Sequence, residues 1–317
     1  MPHLMSQDDP PVAPLPPQLE LLLDHADPTV IMTETEALAL RFAPDIELEP
    51  LRRAFRLLRT IFAGEHPRYR ASNTLYHNLH HATDTMLATA RLLDGAALAG
   101  ERWPGEVAIL PLVAALYHDS GFIQETGDDE GSGAKYTLIH VRRSMDLLER
   151  HGVELGFTAK QVRDCRTVIH LTEVTLRVPD IQFPSPTVEC MARITASADL
   201  IAQTAERVYL EKLLYLYHEM DEGRVPGFES EIDMLRKTPG FFHFLYDRLD
   251  HLLPEHPAWL FNHFSDRWGI DQNLYGAAMQ RHLAYLRDVL SRGDPDPRIH
   301  LRRNGIAADA RSRFPDG

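Results

Sequence analysis

Three short segments put histidines and carboxylates where ordinary patterning would not. The first, Tyr76-His77-Asn78-Leu79-His80-His81-Ala82-Thr83-Asp84, follows Ser72, Asn73 and Thr74, all residue types that cap helix starts. A helix begun there sets His77 and His81 four residues apart on one face, ~6 Å along the axis. Such a pair can serve one metal ion, or one ring can ligate while the other handles protons; core packing is the plain alternative. His80 lies about 100° round the helix from His81 and faces outward. The second segment, Tyr117-His118-Asp119-Ser120-Gly121, ends the apolar stretch from Pro104 to Leu116. A buried carboxylate without a partner is costly, so Asp119 needs a cation or a dense hydrogen-bond shell. A helix C-terminus with a polar cap is the rival account of that dipeptide. In the third, Ile194-Thr195-Ala196-Ser197-Ala198-Asp199-Leu200, an acid interrupts a helix of small and apolar residues. Distant helices converging on one cation account for all three intrusions.

Taken in order, His81, then His118-Asp119, then Asp199 resemble the H…HD…D pattern of HD-superfamily metal-dependent phosphohydrolases. Tyr76 to Asp84 is also similar to the YHNxxHAxD signature of class I cyclic-nucleotide phosphodiesterases, and Ser197-Ala198-Asp199-Leu200 to their late metal-binding segment. The resemblance covers about residues 70–205 and fades beyond them. It implies that His81, His118, Asp119 and Asp199 ligate a first metal, that Asp119 bridges to a second, and that His77 donates a proton. The catalytic residues would then be His77 and Asp119. Another branch of the superfamily adds a histidine after the HD pair and one before the last aspartate. His140 and His170 stand at those places, with Glu173 as an alternative ligand or outer acceptor. Lys135, Arg142 and Arg143 are candidates to orient phosphate near His140, or else form a solvated face.

The cofactors implied are divalent metal ions, one or two per chain. Histidine with carboxylate suits Zn, Fe or Mn at the first site, and a harder ion such as Mg or Mn at the second. The activity implied is cleavage of a phosphoester or phosphodiester bond in a small phosphorylated substrate, possibly a nucleotide, by a metal-activated water. Two alternatives stay open. One is a di-iron oxygenase of the same superfamily with the same six-ligand arrangement, and the other a metal-stabilised regulatory domain without turnover.

The elements that must carry these residues read as helices. Leu51, Phe55, Leu58 and Phe62 form one stripe, with Arg52, Arg53, Arg56 and Arg59 clustered elsewhere. Residues 104–116 are apolar nearly all round, which marks a buried helix with Pro111 as a kink. Further helices are expected over roughly 76–94, 136–151, 158–171, 187–203, 205–221 and 272–291. The expected architecture is all-α. An HD-type catalytic domain spans 19–204, and 205–292 is a helical extension that closes one side of the site. A proline-rich disordered tail covers 1–18 and a flexible tail 293–317.

Bulk composition bounds the partners. Of 317 residues, 44% are hydrophobic and 25% charged, ordinary for a globular protein with a sizeable core. The net charge of −13 argues against a partner that is a long nucleic acid, whose phosphates need a positive surface. It leaves room for a small phosphorylated substrate, because a bound cation reverses the local field. No apolar run is long enough to cross a bilayer, and Met1 to Pro17 lacks the basic region and apolar stretch of a signal peptide. With Cys165 and Cys190 as the two cysteines, reduced thiols and a cytoplasmic location are expected, without a membrane partner.

Overall fold

The computed structural model describes residues 18–315. They form helices and short 3-10 turns, with no β-strand among the described residues and one isolated bridge between Tyr69 and Glu125. This is the all-α class that the hydrophobic period predicts. Helix α1 (Pro28–Phe42) starts where Asp27 accepts a hydrogen bond from the Thr29 backbone and Pro28 pre-sets the first turn. Helix α2 (Glu49–Phe62) buries the predicted stripe of Leu51, Phe55, Leu58 and Phe62. Its arginines lie on the other side, where Arg52 pairs with Glu36 and both Arg53 and Arg56 with Glu49.

Helix α3 (Leu79–Leu98) is the axis of the molecule. Every residue from His81 to Ala96 is buried, because α1, α4 (Gly105–Tyr117), α7 (Pro186–Ala205) and α10 (His256–Trp268) pack around it. Gly95 lets α10 close in: a Cβ there would lie 1.8 Å from the Trp259 carbonyl oxygen. Helix α4 is buried along most of its length, as its composition predicts, and keeps Pro111 inside it. Helices α5 (His140–His151) and α6 (Ala159–His170) pack against each other and α6 against α4. Thr158 and Gln161 form a reciprocal capping box at the start of α6.

Beyond α7 come α8 (Tyr209–Glu222), α9 (Glu231–Leu252) and α11 (Leu274–Ser291). Buried side chains from α1 through α12 (Ile306–Arg313) belong to one hydrophobic cluster. Helix α9 runs straight through Pro239-Gly240, a pair that reads as a break in sequence. Two expectations meet the structure differently. The helix carrying His81 begins at Leu79 with Asn78 as its cap, not at 76 after Ser72 to Thr74. Residues 297–313, placed by sequence in a flexible tail, form two 3-10 turns and α12, with Leu301, Ala307 and Ala310 buried. The proline-rich segment 1–17 lies outside the described residues. Among those described, no helix is long and apolar enough to cross a membrane.

Candidate metal centre

The first turn of α3 delivers His81. Asn78 accepts from the His81 backbone amide (3.2 Å), so the cap itself sets where that ring begins. Helix α4 ends at Tyr117 and delivers the next two groups. His118 donates through Nδ1 to the Ala115 carbonyl (2.7 Å), which turns its Nε2 inward as an acceptor. Asp119 follows in a non-helical turn, and Ser120 donates back to the Tyr117 carbonyl to hold it. Helix α7 brings Asp199 to the same point.

The atoms meet closely. His81 Nε2 and His118 Nε2 are 3.2 Å apart. Asp119 Oδ2 lies 3.4 Å from the first and 3.2 Å from the second. Asp199 Oδ1 lies 3.1 and 3.3 Å from the same two nitrogens. Ligands held about 2.0–2.2 Å from a single ion keep this kind of spacing among themselves. His81, His118 and Asp119 are buried. Lone pairs packed this tightly away from water call for a cation between them. The groups of the cluster interact strongly: burial works against a charged ring, yet Asp119 and Asp199 hold His118 well above its ordinary range. Against burial, His118 first, with His77 and His81, holds Asp119 well below the usual carboxylate range. The buried His81–His118–Asp119 cluster is thus a candidate metal site of the kind seen in HD-superfamily hydrolases.

Asp119 has a second oxygen, and it faces elsewhere. Oδ1 lies 3.5 Å from His140 Nε2, while His140 Nδ1 donates to the Thr137 carbonyl (2.6 Å). Gly121 makes this approach possible, since a Cβ there would sit 1.9 Å from the His140 carbonyl oxygen. His170 and Glu173 line a cavity that His77, His81, Asp119, His140 and Asp199 also line. His170 makes no hydrogen bond or ion pair with the cluster among the described residues. Lys135 and Arg143 are used structurally: Lys135 pairs with Asp128, and Arg143 donates to the Gly121 and Ile123 carbonyls (2.7 Å each). Arg142 is exposed.

His77 stands two residues ahead of α3, so it does not share a helix face with His81 as its spacing predicted. Its ring is nevertheless held beside the cluster, 6.3 Å from the His81 ring between centroids. The holding group is one that sequence reasoning missed. Glu219 on α8 accepts from His77 Nδ1 and from the Tyr76 backbone amide, both at 2.6 Å. Phe122, also missed, stacks on His77 at 4.3 Å and on His140 at 4.5 Å. Glu219 is one of several acids near the end of α8, and nothing in its local sequence sets it apart. His80 faces away from the cluster as expected, towards Asp84 and Glu206.

No protein-family model matches the chain, and no curated protein matches it.

Proposed function

We propose that this chain is a metal-dependent phosphohydrolase of the HD type, cleaving a phosphoester or phosphodiester bond in a small phosphorylated substrate. One observation carries the reading: side chains of His81, His118, Asp119 and Asp199 converge from three helices with 3.1–3.4 Å between facing atoms. In this reading those four residues hold a first divalent ion. Asp119 Oδ1 and His140, together with His170 or Glu173, hold a second.

Bound there, such ions neutralise phosphoryl charge and lower the pKa of a bound water to near neutral. The chain's own residues then do the rest. Glu219 fixes the His77 ring through Nδ1, leaving Nε2 for a leaving-group oxygen, and its carboxylate balances the charge of the doubly protonated ring. The stack on Phe122 fixes the plane of that ring. His118, locked by Ala115, keeps one tautomer.

The test combines elemental analysis with turnover. Purified protein is expected to carry at least one tightly held transition metal per chain and to hydrolyse members of a phosphomonoester and phosphodiester panel with Mn, Mg, Fe or Zn. Asp119→Ala is expected to lose both metal and activity, because it removes a shared ligand. Active wild-type protein free of metal would end this reading. Metal-loaded protein inert towards the whole panel but consuming oxygen would replace it with the oxygenase.

A further inference from the structure

Beside the His81–His118–Asp119 cluster opens a cavity of about 930 Å³, within the range of clefts that take a drug-sized ligand. One end is polar, formed by His77, Asp119, His140 and Asp199. The walls supplied by α8 and α9 are mostly apolar: Leu213, Leu216, Met220, Met234 and Phe241 line them, with Tyr209, Lys237 and Thr238 as the polar exceptions. Three more lining side chains, Leu138, Val174 and Phe244, remain 63%, 42% and 46% exposed. Large apolar groups left in water around a cleft mark a surface kept for a ligand.

Charge points the same way. Lys237 is the one Lys or Arg among the described lining residues, and Asp233 (2.7 Å) and the Gly227 carbonyl (2.8 Å) already engage its ammonium. The lining carboxylates are Asp119, Glu173 and Asp199. A polyphosphate chain lying along these walls would find no unengaged cation to neutralise it. One phosphoryl group at the metal end, with an uncharged apolar remainder, matches the lining.

We propose that the substrate is a phosphoester of an apolar alcohol, its alkyl chain lying between α8 and α9 and its phosphoryl group at the His81–His118–Asp119 cluster. This rests on the phosphohydrolase reading. Hydrolysis adds the oxygen of water to phosphorus and breaks the bond to the alkyl oxygen. That oxygen takes a proton and leaves as the free alcohol, while the phosphate keeps the hydroxyl from water.

Non-hydrolysable n-alkylphosphonates, from butyl to decyl, test binding without needing turnover. Calorimetry uses the full chain loaded with Mn, and the same chain after EDTA. In the Mn-loaded protein, affinity is expected to rise by up to roughly fourfold per added methylene, the transfer value for a buried CH₂. Gly240→Trp supplies the second arm. Gly240 lines the cavity on α9, a Cβ there meets nothing within 4 Å, and losing a mid-helix glycine favours the helix. That variant is expected to lose tenfold or more of decylphosphonate affinity, by about the loss of a few buried methylenes, and to keep that of butylphosphonate. Flat affinity along the series overturns the proposal, as does adenosine monophosphate binding more tightly than decylphosphonate. Unchanged decylphosphonate binding in Gly240→Trp places the chain elsewhere and also overturns it. Affinity that rises with chain length but, for every phosphonate, is as tight after EDTA as with Mn keeps the apolar site and removes the phosphohydrolase reading instead.

Discussion

His77 draws its position from a residue 142 places along the chain, and that dependence makes its role testable apart from the metal. Glu219 holds the ring through Nδ1, and none of the four converging ligand atoms touches it within hydrogen-bond reach. His77→Ala is therefore expected to keep wild-type metal content. Its kcat should fall by roughly 10²–10⁴ on esters with a poor leaving group, the range for losing a general acid. Nitrophenyl esters need little protonation, so their loss should be much smaller. Glu219→Gln, which keeps the shape but not the charge, should show the same leaving-group asymmetry at reduced size. Loss of metal from His77→Ala would make it a ligand. Equal slowing of both ester types would mean a damaged site. At this scale the converging residues were readable because His118, Asp119 and Asp199 break apolar patterns, where a charge needs a reason. Glu219 breaks no pattern, since it stands beside Asp221 and Glu222 at the end of α8, and only the folded chain brings it to His77.

The element that organises everything, α3, is the one whose burial the sequence conceals. Thr83, Asp84, Thr85, Thr89, Arg91 and Asp94 all lie inside, so the segment looks amphipathic when it is enclosed on every side. Neighbours satisfy several of those polar groups: Thr83 donates to the His80 carbonyl (3.0 Å), Thr89 to the Thr85 carbonyl (2.8 Å) and Arg91 Nη1 to the Tyr275 hydroxyl (2.9 Å), whereas Thr85 Oγ1 and Arg91 Nε and Nη2 have no hydrogen-bond partner among the described residues. Asp94 is the most consequential. It accepts from Arg41 of α1 (2.8 Å) and His263 of α10 (2.8 Å), tying three helices at one carboxylate. Burial alone would raise its pKa, but His263 and Arg41 together hold it below the ordinary 3.8. A depressed folded value means that Asp94 contributes stability above the unfolded carboxylate range, and that this share is lost as pH falls through the folded value. Asp94→Asn should cost about 1.5–3 kcal/mol near neutral pH, the range for hydrogen bonds to a charged group. The gap to wild type should then narrow below about pH 4. Urea midpoints at neutral and acidic pH measure it, and a gap that stays constant with pH would show that shape, not charge, does the tying. The helix α9 was unreadable for a simpler reason: Pro239 and Gly240 together signal a stop, and tertiary packing of Leu235, Phe242 and Leu245 overrides it.

At the scale of the whole molecule, the C-terminal arm joins the two helices that wall the cavity. Its sequence is polar and proline-punctuated, so composition alone places it outside the fold. What composition misses is that a few specific contacts suffice. Arg298 donates to Glu231 at the start of α9 (2.6 Å), and His218 of α8 donates to the same carboxylate (2.8 Å). Phe314 stacks on the His218 ring at 3.7 Å between centroids, and Tyr215 donates to Asp309 of α12 (2.6 Å). Glu219 lies one residue beyond His218 on that helix, so the arm braces the segment that orients His77. Removing residues 294–317 should therefore act unevenly. The candidate ligands on α3, α4 and α7 touch none of the arm's contacts, and metal content should stay at the wild-type level. Helix α8 and the first turn of α9 lose their outer partners, so their amides should exchange faster with solvent while those of α3 and α4 hold. Thermal stability should fall, and activity on poor leaving groups should fall more than on nitrophenyl esters, reproducing in part the signature of Glu219→Gln. Tyr215→Phe and Glu231→Gln give milder versions of the same loosening should the truncated chain prove too unstable to purify. Exchange in α8 unchanged by both the truncation and the point variants would mean that the arm only rests on the surface, and that Glu219 is held by α8 alone.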